Sequence, residues 1–201
     1  MRVHTLASAA ALALTVAACG GGNGAADNQL ATEANMASDP ALNAALGGEP
    51  APANQMAATP TDAASFAAAV AASDLFEIES GRLAQNKGTT AEVKTFGSQL
   101  VADHTKSTAD LKTAAAKASP AVTVTPALDA EKQGMMAQLQ AASGAEFDRL
   151  FVQLQGTAHR KTLATLQAYA SGGDQQPLKD FATTASKVVE QHIAHVGGMQ
   201  K

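Results

Sequence analysis

The chain has 201 residues, a net charge of -4 and 46% apolar residues, yet only 3% aromatics and no tryptophan. That length suits one domain of about 100 to 150 residues with extensions, and a core built from Ala, Leu, Val and a few Phe points to an all-α fold. Lys and Arg are dispersed, leaving no basic face for phosphates, so nucleic acid is excluded as a partner.

The first element reads as a leader. Met1-Arg2-Val3-His4 is a short positive start, Leu6 to Ala18 is an apolar run of h-region length, and small residues precede Cys19, the one cysteine. The run is too short to cross a bilayer as a helix. Val16-Ala17-Ala18-Cys19 resembles a bacterial lipobox. The resemblance implies a signal peptide over residues 1–18, a diacylglyceryl group on the Cys19 sulfur and a third acyl chain on its amine. More than one chain anchors stably, at about 0.8 kcal/mol per buried CH₂. The competing reading is a plain secretory signal with an incidental cysteine. Gly20 is not the Asp that resemblance to Gram-negative lipoproteins would link to inner-membrane retention. The expected location is the cell envelope, on the outer membrane facing the periplasm if the cell is Gram-negative.

Residues 19–60 carry four of the seven prolines, no Lys or Arg and few large apolar side chains, so a disordered tether is expected there. The folded domain is expected over residues 61–201. A first helix starts at a Thr61-Asp62 cap and runs to about Asn86, ended by Gly88. Phe66, Val70, Ser73, Glu77, Gly81 and Ala84 share its inner side. A second helix, capped by Thr89 or Thr90, continues to about Lys117 and must lie antiparallel to the first across so short a turn. Its inner stripe holds Val93, Gly97, Leu100, His104, Thr108 and Leu111.

A break from Ser119-Pro120 to Pro126 precedes a lesser helix from Ala127 to Ala141. Ser143 then caps a third main helix, with Glu146 placed as in a capping box, and that helix stops at Ser171-Gly172-Gly173. It carries Val152, Gln155, His159 and Leu166 on one side. Asp174 caps the fourth, on which Phe181, Ala185, Val188, His192 and Val196 align. The resulting reading is a four-helix bundle of two antiparallel hairpins. A crossover of about 25 residues between them is long enough to traverse the bundle, as in ferritin-like folds, with a short extra helix inside it.

Each main helix therefore puts one ionisable residue on its apolar stripe: Glu77, His104, His159 and His192. One carboxylate and three neutral imidazoles suit a single transition ion such as Zn, Fe or Mn. The other reading pairs these groups with each other or with aspartates, which satisfies buried partners and fixes helix register. The Glu-x-x-His of di-iron bundles is missing, because Val101, Gly156 and Val189 stand three before the histidines. Asp103 is turned about 100° from His104 and is placed to orient a neighbouring histidine or to face water. Asp148 precedes His159 by about 16 Å of helix, too far to share a metal, and is assigned to Arg149, Lys106 or a helix terminus. Ser and His spacing suggests no triad, there is no phosphate loop or nucleophile elbow, and lipidation leaves no free thiol. An enzyme has little support.

The ordered set Asp74-Leu75-Phe76-Glu77, Val101-Ala102-Asp103-His104, Glu146-Phe147-Asp148-Arg149, Ala158-His159, Lys179-Asp180-Phe181 and His192 resembles the DUF4142 family across Thr61 to Gly198. The resemblance implies a ferritin-like four-helix domain common in exported bacterial proteins, with no established activity. Glu77, Asp103, His104, Phe147, Asp148, His159 and His192 match its recurrent positions. The family often has Leu-Pro shortly before the last histidine, where this chain has Lys187-Val188-Val189. Taken together, these features describe a lipid-anchored envelope protein whose domain is a non-enzymatic binding or stress-related structural module with envelope protein partners. The alternative is a transition-metal-binding protein with a Glu/His core site and a redox or detoxification role.

Overall fold

The computed structural model describes residues 60–199; the expected leader, Cys19 and the expected tether to residue 59 lie outside the described residues. Five helices follow in order, α1 (Ala63–Lys87), α2 (Ala91–Ala116), α3 (Ala130–Ala141), α4 (Gly144–Gly172) and α5 (Gln176–Met199). The caps are the local reason for most of these limits. Asp62 accepts from Ser65 N, Thr90 from Val93 N and Asp129 from Lys132 N, so α3 begins at residue 130 and not at the expected 127. α5 runs without a break through Lys187-Val188-Val189. Among the described residues no helix is long and apolar enough to cross a membrane.

Two expected caps form differently. Ser143 occupies the N-cap of α4 but its hydroxyl makes no cap bond. A capping box needs the next residue already helical, and Gly144 has φ 60°, in the left-handed region that suits glycine. Asp174 does not cap α5 because its Oδ1 accepts from the Tyr169 hydroxyl at 2.7 Å. The Gln175 carbonyl instead takes the Leu178 and Lys179 N–H groups.

Cross-helix contacts set the directions. Phe66 stacks on Tyr169 at 3.8 Å, Ser73 bonds Thr162 at 2.6 Å and Gln155 donates to Ser80 at 2.9 Å, so α4 runs antiparallel to α1. Asp74 meets His104 while Gly81 faces Gly97, Asp103 meets His192 while Phe96 stacks on His195, and His159 meets His192 while Gln167 donates to Glu190, which makes every neighbouring pair antiparallel. α2 and α4 are consequently parallel, and residues 117–143 traverse the bundle between them as ferritin-like connectivity requires. The expected all-α, ferritin-like architecture with its extra crossover helix is the observed one. Lys87 ties α3 down by donating to the carbonyls of Leu139 and Gln140 at its C-terminus.

The core has three levels. Phe66, Val70, Leu111, Leu166, Tyr169 and Phe181 fill the end where α1 begins. Phe76, Phe96, Leu100, Phe147, Phe151 and Val196 fill the other. Between them lies a buried polar layer containing Ser73, Asp74, Glu77, Ser80, His104, Gln155, His159 and His192.

α1 and α2 approach most closely where Gly81 faces Gly97. A Cβ on Gly81 would meet the Gly97 carbonyl oxygen at 2.6 Å, and one on Gly97 would meet the Gly81 oxygen at 2.7 Å. Backbone atoms cannot move aside cheaply. Gly81→Ala should therefore destabilise by about 1–3 kcal/mol in urea unfolding. Gly134→Ala, in open space on α3, should stabilise by up to about 1 kcal/mol; equal midpoints for the two variants would refute the close crossing.

Candidate metal centre

Each histidine of the polar layer is held by an oxygen at one ring nitrogen. His104 Nδ1 lies 2.8 Å from Asp74 Oδ1, whose other oxygen accepts from Thr108 Oγ1 at 3.2 Å. His159 Nδ1 lies 2.9 Å from the Gln155 carbonyl, one turn earlier on α4. His192 Nε2 lies 3.0 Å from Asp103 Oδ2. A carbonyl or carboxylate only accepts, so each of these nitrogens carries the proton and the opposite nitrogen of each neutral ring carries a lone pair.

The three rings meet in the middle of the layer. One nitrogen from each of His104, His159 and His192 lies within 4.8 Å of the others, and all three residues are buried. His159 Nε2 and His192 Nδ1 face each other at 3.1 Å. The relay Asp103–His192–His159–Gln155 thus spans three hydrogen bonds, while a carboxylate and two neutral imidazoles supply two protons. The gap between the rings needs one further proton or a cation. Metal–nitrogen bonds of about 2.0–2.1 Å hold two ligand nitrogens of a tetrahedral ion roughly 3.3 Å apart, so small ring movements would seat an ion. Phe96 closes the layer on one side, 5.8 Å from the His192 ring and stacked on His195 at 4.7 Å.

Four buried atoms here have no protein partner: both oxygens of Glu77, His104 Nε2 and Gln155 Oε1. A buried polar group left so costs about 1–3 kcal/mol. Glu77 Oε1 is 3.6 Å from His159 Nδ1, beside the ring nitrogen already bonded to Gln155. Burial pushes the Glu77 carboxyl up to about 7, against the opposing charge of His104. Burial drives His159 down to about 3, aided by charge on His104 and His192. Burial also lowers His192, partly offset by its bond to Asp103. For His104 burial acts downward, but the bond to Asp74 and the charges of Glu77, Asp74 and Asp103 outweigh it and the net shift is up. One histidine prone to protonation beside two that resist it is how a cluster behaves when it has room for one positive charge.

The residues singled out from the sequence divide plainly. His104, His159 and His192 come together, and Glu77 lies against His159. Asp103 orients His192. Asp148 is at the end of the bundle, accepting from Thr89 N at 2.9 Å, Thr90 N at 3.0 Å and Thr89 Oγ1 at 2.6 Å, so it caps the entry to α2. These bonds outweigh burial and lower its carboxyl. Sequence reasoning missed Asp74, which is 2% exposed, and the Gln155–Ser80 bridge. Asp74 was legible as the i−3 neighbour of Glu77 on the same helical side.

The sequence pattern described as "Domain of unknown function (DUF4142)" matches residues 47–199. The chain belongs to the DUF4142 family. No curated protein and no solved structure matches it. The chemistry of this DUF4142 domain must therefore be read from its own layer.

The titrations of Glu77 and His159 pull stability in opposite directions. Between pH 4.5 and about 7 folded Glu77 keeps a proton that the unfolded chain has released, so this group makes stability fall as pH rises. Between about 3 and 6.5 the unfolded chain holds a His159 proton that the folded one lacks, so stability rises with pH. Glu77→Gln removes only the first effect. Relative to the parent, its stability should climb between pH 4.5 and 7 by on the order of 3 kcal/mol, and a pH-independent difference in urea titrations would contradict this.

Proposed function

We propose that this DUF4142 domain holds one divalent transition-metal ion in the middle of the bundle through His104, His159 and His192, with Glu77 supplying nearby negative charge. The observation that carries the reading is the oxygen facing one nitrogen of each ring, which directs the ring protons. All three point outward to oxygens of Asp74, Gln155 and Asp103, which is the outer-sphere arrangement that fixes tautomer and raises basicity in histidine metal sites. Three imidazoles suit Zn and other borderline ions. The role is binding, in an ion-holding module of the envelope. The Cys19 lipid would keep that module at the membrane, and the chain before Pro60 would act as its leash.

Elemental analysis of the Cys19→Ser chain, purified without a His tag or chelator and titrated with Zn, should find close to one ion per chain. His104→Ala and His159→Ala should abolish binding, and Asp103→Asn should weaken it about 10–100-fold. His104, the ring whose shift is upward, must give up its proton to bind the ion, so affinity should fall as pH drops toward 5. Absence of binding with unshifted ring resonances would leave a purely structural polar layer. Separately, Cys19→Ser should release the protein from membranes in cell fractionation; unchanged membrane association would remove the anchor.

A further inference from the structure

Beside the polar layer, in the half of the bundle where α1 begins, α2 and α5 enclose a cleft of about 710 Å³, within the range of small-molecule sites. Val70 and Leu166 from α1 and α4 contribute its apolar floor, and Phe181 and Val189 are on its α5 wall. Its inner end reaches Asp74, Asp103 and His104. The facing side chains of α2 and α5 there include Ser107, Ala114, Thr184 and Ala185, too small to fill the gap.

The charges along this cleft are biased. Asp74, Asp103, Asp110 and Asp180 line it against His104, Lys106 and Lys117, and Asp74 is spent on His104. Lys106 is spent on Asp110, four residues on. Lys117 lies about 21 Å along α2 from Asp103, well beyond a screening length of about 8 Å. Asp180 is met by the neutral Gln176 amide. Asp103 is 37% exposed; its Oδ2 takes the His192 proton, and its second oxygen accepts no hydrogen bond among the described residues. An apolar trough ending at an accessible carboxylate is what an amphiphilic cation requires.

We propose that this cleft binds an elongated organic cation, a protonated amine or quaternary ammonium on an apolar chain or ring system, with its charge at Asp103 and its body over Leu166, Phe181 and Val189. A fatty carboxylate would set its charge against the Asp103 carboxylate. The chain's own residues 19–59 carry Asp27, Glu33, Asp39 and Glu49 with no Lys or Arg, and would meet the same repulsion. The proposal does not depend on an ion in the core.

The test is calorimetric titration of the Cys19→Ser chain with dodecyltrimethylammonium, dodecanoate and dodecyl maltoside, each below its micelle concentration. One cation per chain is expected, bound at least about tenfold more tightly than the anion. Ala185→Trp, which fills the cleft, should abolish this, and Asp103→Asn should reduce the cation to the affinity of the neutral probe. Where circular dichroism shows that Ala185→Trp is unfolded, Thr184→Trp at the exposed rim replaces it. Equal binding of cation and anion, cation binding unaffected by the tryptophan, or no binding of any probe would overturn the proposal.

Discussion

The fold depends on a hydrogen-bonded polar layer being matched across four helices at one height. Ser73 meets Thr162, Asp74 meets His104, Ser80 meets Gln155, Asp103 meets His192 and His192 meets His159. A one-turn slip of any helix would move its member by about 5.4 Å and leave buried groups unpaired on both sides. Apolar layers above and below tolerate sliding far better, because one Leu or Ala contact resembles the next. The polar layer fixes register, and the apolar layers supply the burial that holds it dry.

That dryness is uneven around the bundle. Gly81 and Gly97 draw α1 and α2 into backbone contact, so the His104–Asp74 pair is enclosed. Between α2 and α5 the upper half is closed by Phe96 against His192 and His195, whereas the lower half is left open by small side chains. One wall of the layer is therefore sealed and another ends at a cleft, with Asp103 standing at the boundary. This residue does two things at once: it fixes a core histidine and offers a carboxylate outward.

Much of this was legible in the sequence because it rests on local rules. Helix ends followed from Asp62, Thr90 and Gly88, the inner stripes placed Glu77 and the three histidines, and crossover length allowed the parallel α2–α4 arrangement. The failures came partly from local competition and partly from tertiary partners. Asp174 has a good capping side chain, but Tyr169 five residues earlier claims it. Ser143 precedes a glycine in the left-handed region, which no three-residue spacing reveals. Asp148 had a helix terminus among its alternatives, yet which terminus it served depended on α1–α4 packing. Asp74, three residues before Glu77 on the same helical side, was within reach of the same stripe argument, and its partner is His104 on the facing helix.

The pattern inside the layer also bears on why it exists. A register device needs only satisfied pairs, and Ser73–Thr162 is such a pair, neutral and complete. Replacing buried ionisable groups by apolar ones of similar size is often neutral or stabilising, so fold alone gives little reason to keep the five of this layer, Asp74, Glu77, His104, His159 and His192. The imidazole relay is worse than neutral as a structural device: it is one proton short, it opposes two lone pairs at 3.1 Å, and it leaves the Glu77 carboxyl and His104 Nε2 without partners. Each of these defects is relieved by the same change, a positive charge placed among the three rings. A bound cation would then stabilise the folded state in proportion to the logarithm of its concentration over its dissociation constant. The strain of the layer without such a charge would thus be the other side of its affinity, and both would follow from aspartates and a carbonyl that hold the ring protons outward.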